Sequence, residues 1–160
     1  MRIPVQELMD RYKNNVYAAA FSICKNASDA EDVVQDTFLQ YYMTHKDFDN
    51  EQHIRAWLLK VAINKSKNIL SSFWHRNGVP LEDYIETLSF ETPGSKELFE
   101  EVMKLPEKYR VVLHLFYYED YNIKEIAKIL KTSESNIKVR LSRGRTMLKE
   151  SLKEEWEDEQ

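Results

Sequence analysis

Apolar residues recur every three or four positions along most of the chain, and only three glycines and four prolines interrupt 160 residues. Residues at that spacing share one face of a helix, and the Leu, Lys, Glu and Ala that fill the stretches between breaks are good helix formers. The expected fold class is all-α. Val5, Leu8, Met9, Tyr12, Val16, Ala19, Ala20 and Ile23 mark a first amphipathic helix. Ser28-Asp29-Ala30-Glu31 reads as a capping box that opens a second, with Ala30, Val33, Val34, Phe38 and Tyr41 inward. After a polar stretch from Asp47 to Gln52, a third helix is expected from Ile54 to Phe73, burying Ile54, Trp57, Leu58, Val61, Ala62 and Ile69.

Asn77-Gly78-Val79-Pro80 and Thr92-Pro93-Gly94 are breaks, so residues 77–95 read as a linker. Helical spacing resumes at Leu98, Val102 and Leu105, and Pro106 begins another helix with Val111, Val112, Leu115 and Phe116. The expected organisation is two small helical domains, 1–76 and 96–153, joined by that linker and followed by an acidic tail, 154–160.

Several function classes are excluded by what the chain lacks. It has no apolar run of the roughly eighteen residues a membrane span needs, and residues 1–10 lack the apolar core of a secretory signal. The expected location is the cytoplasm. Cys24 is the single cysteine, and His45, His53, His75 and His114 are scattered without metal-ligand spacing. Neither a nucleophile–base constellation nor a phosphate loop is visible. No catalytic residue, metal or cofactor is expected.

The formal net charge is −4, which taken alone argues against nucleic acid. Its distribution argues the other way, because charges act over about a Debye length, ~8–10 Å in physiological salt. Residues 26–45 carry Asp29, Glu31, Asp32 and Asp36 and no base, while residues 52–81 carry Arg55, Lys60, Lys65, Lys67 and Arg76 and no acid. Residues 122–153 hold nine bases against three acids. Segregation of this kind implies at least two kinds of partner.

The last basic segment has a recognisable layout. Asn122-Ile123-Lys124-Glu125 is a second cap, opening a short helix with Ile123, Ile126, Ala127 and Leu130 inward. Lys131-Thr132-Ser133 makes a tight connection, with Thr132 or Ser133 able to cap the next helix, whose inner residues are Ile137, Leu141 and Leu148. Two helices joined by a three- or four-residue turn make a helix-turn-helix. The second presents Ser135, Asn136, Lys138, Val139, Ser142, Arg143 and Arg145 outward. Arg and Asn bond guanine and adenine edges bidentately, and Lys and Ser serve edges or phosphates. A plain solvated face explains the charges less well, because it leaves the short preceding helix unexplained.

The motifs resemble those of the extracytoplasmic-function (ECF) sigma factors. Leu105-Pro106-Glu107-Lys108-Tyr109-Arg110, Glu125-Ile126-Ala127 and Ile137-Lys138-Val139-Arg140-Leu141-Ser142-Arg143-Gly144-Arg145 are similar to sigma region 4. Asp29 to Phe38 is similar to region 2.2, and Trp57 to Asn64 with Lys67-Asn68 to regions 2.3 and 2.4. Departures are Gly144 where the family usually has Ala, Tyr121-Asn122-Ile123 in place of Leu-Ser, and the His53-Ile54-Arg55 approach to the Trp helix. At Gly144 the helix-propensity cost is about 0.8–1.0 kcal/mol.

The resemblance implies a role for each face. Asp29, Asp32, Gln35 and Asp36 would dock on core RNA polymerase. Unaided, the Asp29, Asp32 and Asp36 stripe equally suits a solvated face, and Asp29 and Glu31 suit a helix N-terminus. Lys60, Asn64, Lys67 and Asn68, which share a face with Ser71, would hold the opened single strand of the minus-10 element, bases neutralising the backbone while amides read an unstacked base. Ser135, Asn136, Lys138, Arg140, Ser142, Arg143 and Arg145 would bind duplex minus-35 DNA. Trp57 belongs to the core rather than to a DNA wedge, and Phe73 and Trp74 have no assigned role. An anti-sigma protein is a further family expectation. Two other classes remain at this point: a dimeric helix-turn-helix regulator acting on palindromic operators without polymerase, and a hydrolase built on the carboxylates or histidines.

Overall fold

The computed structural model describes residues 1–72 and 95–158, and the chain divides into two compact units, Met1–Pro80 and Leu81–Gln160. Every described element is helical. The expected linker lies outside the described residues except for Ser95, as do Phe73, Trp74 and Arg76 and the last two residues of the expected acidic tail.

In the first unit α1 (Val5–Cys24), α2 (Ala27–Met43) and α3 (Glu51–Ser72) pack against one another. Leu8, Val16 and Ile23 of α1, Val33, Phe38 and Tyr41 of α2, and Ile54, Leu58 and Ala62 of α3 are buried together in this unit's core. The Val, Leu, Ile and Phe side chains sealed in this way contribute on the order of 1.5–3 kcal/mol each. The turn into α2 differs from the expected one. Lys25 ends α1 in the left-handed region (φ 53°), and the cap of α2 is Asn26, whose side chain accepts from the Asp29 amide at 2.9 Å. Asn is as strong a cap as Ser and stands directly after the turn, so the helix begins at Ala27 and Ser28 lies within its first turn.

Likewise α3 begins at Glu51, because the Asn50 side chain accepts from the His53 amide at 2.9 Å. Phe48, in the polar segment before it, is 1% exposed. It lies 5.9 Å from the Tyr41 ring and 5.7 Å from the Trp57 ring, and Trp57 meets Tyr41 edge-on at 6.2 Å. Trp57 thus packs against the core but, like Val61 and Ile69, is half-buried rather than sealed as expected. A lone aromatic has no periodicity to reveal it, which is why Phe48 escapes a pattern reading. Leu59, Ile63 and Ser66 are also buried, because α3 packs against both α1 and α2 and seals a wider stripe than one neighbour would.

The second unit contains α4 (Ser95–Met103), α5 (Glu107–Leu113), α6 (Ile123–Leu130) and α7 (Glu134–Asp158). Helix α7 packs against the other three, burying Ile137 and Leu141 in a core with Leu105, Val112, Leu115 and Ile126. Pro106 caps α5 with φ −56°, as its restricted ring suits. The continuous helix expected through Leu115 and Phe116 is instead widened into a π turn over His114–Tyr118. Gly144 of α7 is buried where that helix crosses α5, close to Leu113 and Tyr109.

Candidate nucleic-acid interface

The helix-turn-helix is built by local hydrogen bonds that the sequence spells out. Asn122 Oδ1 accepts from the Glu125 amide at 2.8 Å, and Glu125 Oε1 accepts from the Asn122 amide at 3.0 Å, a complete capping box. Lys131 ends α6 in the left-handed region (φ 54°), its amide donating to the Ala127 carbonyl. Ser133 Oγ then accepts from the Asn136 amide at 3.1 Å, starting α7 one residue later. Ala127 is buried at the crossing and Ile129 is sealed beside it.

Phase on α7 follows from its buried residues. Ile137, Leu141 and Gly144 face inward and Leu148 is half-buried. At 3.6 residues per turn, Ser135, Val139, Ser142 and Thr146 then run down the centre of the outer face. Lys138, Arg145 and Lys149 form one edge of that face and Asn136 and Arg143 the other. All of these are exposed, whereas Arg140 is half-buried. Asn136 Nδ2 donates to Thr132 Oγ1 at 2.9 Å, which orients the amide at the leading end of the face.

Two features of this surface were not expected. Lys124, Lys128 and Lys131 line an open concavity at the turn with Thr132 and Ser133, and their clustering follows from the i, i+4 spacing on α6. The other is the packing of Arg145 on the π turn. Arg145 Nε donates to the Tyr117 hydroxyl at 2.6 Å, and the guanidinium lies 5.1 Å from the Phe116 ring centroid and 5.5 Å from that of Tyr117.

In the first unit, Asn64, Asn68 and Ser71 are exposed on one face of α3, with Lys60 and Lys67 half-buried along it. The stems of the two lysines pack while their charged ends can reach solvent. Helix α2 divides the expected acidic set. Asp32, Gln35 and Asp36 are exposed, but Asp29 is only 6% exposed, at the start of the helix, and does not join that surface. Leu39, Tyr42 and Met43 continue the exposed face toward the helix end, at 55%, 69% and 67% exposure. Helix α2 thus presents an acidic half followed by an apolar half, and the apolar half was missed because its residues fall off the buried stripe.

Among the described residues no three His, Cys, Asp or Glu side chains are grouped to hold a metal, and no helix is long and apolar enough to cross a membrane.

Comparison with known proteins accounts for both units. The Sigma-70 region 2 family model matches residues 8–76, and the Sigma-70 region 4 model matches residues 95–148. The ECF RNA polymerase sigma factor SigM of Bacillus subtilis is 31% identical over 154 residues, covering 91% of this chain and 93% of its own. SigW of the same organism is 27% identical, covering 92% and 88%. Among solved structures, CnrH in complex with the cytosolic domain of CnrY aligns with a TM-score of 0.69 at 27% identity, covering 93% of this chain and 87% of that one. The Bartonella quintana sigma factor RpoE, bound to the anti-sigma factor NepR, shares the fold with a TM-score of 0.73 at 20% identity, covering 92% and 96%. The chain belongs to the ECF sigma factors of the sigma-70 family, proteins of bacterial transcription initiation.

Proposed function

We propose that this chain directs core RNA polymerase to promoters through three surfaces. Helix α2 docks on polymerase with Asp32, Gln35 and Asp36. The Lys60, Asn64, Lys67 and Asn68 face of α3 holds the opened minus-10 strand. The outer face of α7, from Ser135 to Arg145, reads duplex minus-35 DNA. Asp29 is reassigned to the start of α2, where a carboxylate favours the helix dipole.

The observation that carries the reading is the outer face of α7. It has a central row of small residues and Val139, flanked by Lys138, Arg145 and Lys149 on one edge and Asn136 and Arg143 on the other. Small residues in the centre allow the helix to enter a groove. The edge with Lys138, Arg145 and Lys149 then meets a phosphate wall, while on the other edge Arg143 offers a bidentate donor pair and Asn136 a donor–acceptor pair for base edges. Tethering a duplex reader and a single-strand trap to one polymerase raises the effective concentration of each, so two weak readouts act as one. The work done is differential binding: the α3 face favours a melted strand over a paired one.

The Bartonella RpoE was solved with the anti-sigma factor NepR and CnrH with the cytosolic domain of CnrY, and these likenesses support a protein partner of the anti-sigma kind as a third ligand. Transcription in vitro with purified core polymerase across a randomised promoter library tests the proposal. Enrichment of templates with two spaced elements, dependent on this chain, is the expected result. Sequence-specific binding to palindromes without polymerase would instead support a dimeric regulator.

A further inference from the structure

We propose that Tyr117 and Arg145 together form a clamp for a DNA backbone phosphate at the edge of the recognition helix, with Tyr117 as a binding residue in its own right. The inference rests on the reading of α7 as a duplex DNA reader and adds a site on a different element, the π turn.

Arg145 is exposed on the same edge of α7 as Lys138 and Lys149. Its guanidinium is not left to sample solvent. The Tyr117 hydroxyl accepts its Nε–H at 2.6 Å, and the rings of Phe116 and Tyr117 lie 5.1 and 5.5 Å from it. Tethering through Nε leaves the two terminal nitrogens of the fork as donors directed away from that bond. The Tyr117 oxygen, having accepted one hydrogen bond, still has its own proton to donate, and the side chain is 57% exposed. The pair therefore presents one cation and several donors, with no acidic group among its contacts in the described residues. Planar, donor-only, positively charged surfaces match phosphate oxygens, and an aromatic support reduces the rotamer freedom an arginine loses on binding. The π turn makes this possible: its wider turn sets Phe116 and Tyr117 beneath Arg145, and such turns occur often at functional sites.

The test uses the full chain reconstituted with core polymerase. The probes are a duplex enriched by that holoenzyme from a randomised pool, and the unselected pool itself. Tyr117→Phe keeps the ring and every charge but loses the hydroxyl. It should weaken binding to both probes by about five-fold, the effect of one hydrogen bond, without changing the salt dependence. Arg145→Ala should weaken both and reduce the slope of log affinity against log salt by about 0.9, one released counterion. In the Arg145→Ala background Tyr117→Phe should cost less than about two-fold, since coupled residues are not additive. Wild-type affinity in Tyr117→Phe, or altered base preference in either variant, overturns the clamp while leaving the reading of α7 intact. If the wild-type holoenzyme shows no selectivity between the two probes, the clamp falls together with that reading.

Discussion

Gly144 of α7 passes so close to Leu113 of α5 that a Cβ built on the glycine would stand 3.3 Å from Leu113 Cδ1, with Tyr109 Cβ at 3.4 Å. The departure from the family's usual Ala thus coincides with a tight helix crossing. Gly144→Ala adds helix propensity of about 1 kcal/mol but forces Leu113 to give way, so its net effect on stability should stay within about 1 kcal/mol. Gly144→Val, larger and β-branched, should destabilise the unit by about 1–3 kcal/mol. Thermal unfolding followed by helical circular dichroism measures both, and a fully tolerated Val would show that the crossing is not limiting.

A second prediction concerns acid. His114 sits in the π turn with Nε2 buried, without a hydrogen-bond partner among the described residues and 3.8 Å from Glu119 Oε1. Burial lowers its pKa from 6.5 to about 4. Below pH 6.5 the unfolded chain takes up a proton that the folded one refuses. Stability should therefore fall as pH drops from about 6.5 to about 4 and level off below that, for this group alone. With 11% of the side chain still exposed, the loss should be at most about 3 kcal/mol. Denaturation midpoints across this window for wild type and His114→Leu would show it. An unchanged pH dependence in the variant assigns acid sensitivity elsewhere.

For polymerase docking, the charges on α2 should matter more than its helicity. Asp32→Lys with Asp36→Lys reverses two exposed carboxylates and should weaken core-polymerase affinity by at least ten-fold, on the order of 1.4 kcal/mol or more. Surface plasmon resonance against immobilised core enzyme gives the number. Unchanged affinity in a folded double variant would remove the assignment.

On α3, Asn64→Ala and Asn68→Ala should slow open-complex formation more than closed-complex formation, because melting exposes the base they would contact. Permanganate reactivity on matched and pre-melted promoters separates the two stages. If a pre-melted template shows no dependence on either residue, both return to the role of helix surface.

On α7, Arg143→Ala should cost about 1–3 kcal/mol on the preferred duplex and relax preference at one minus-35 position. Affinities for a set of single-base variants read this directly. A uniform loss across the set would move Arg143 from base reading to phosphate contact.

Much of this protein was determined by the sequence alone, wherever a signal is local. The Asn122–Glu125 capping box, Pro106 at a helix start, the three-residue turn before α7 and the inward phase of Ile137 and Leu141 all depend on neighbours within a turn or two, and such neighbours are readable from spacing. So are the segregated basic and acidic segments. The tertiary structure decided whatever depends on residues distant in the chain. Asp29 and Asp32 belong to one periodic stripe, yet packing seals the first and leaves the second in solvent, because spacing groups residues on a face without saying where the neighbouring helix ends. Phe48 is buried by Tyr41 and Trp57 rather than by any pattern of its own. Gly144 costs helix propensity locally and is accommodated by the approach of α5, thirty-one positions earlier for Leu113. Arg145 reads from sequence as an outward-facing base on the recognition helix, and only the packing of the π turn against α7 gives it Tyr117. Local periodicity specifies helices and their faces; steric fit between helices decides which of those faces remain available to a partner.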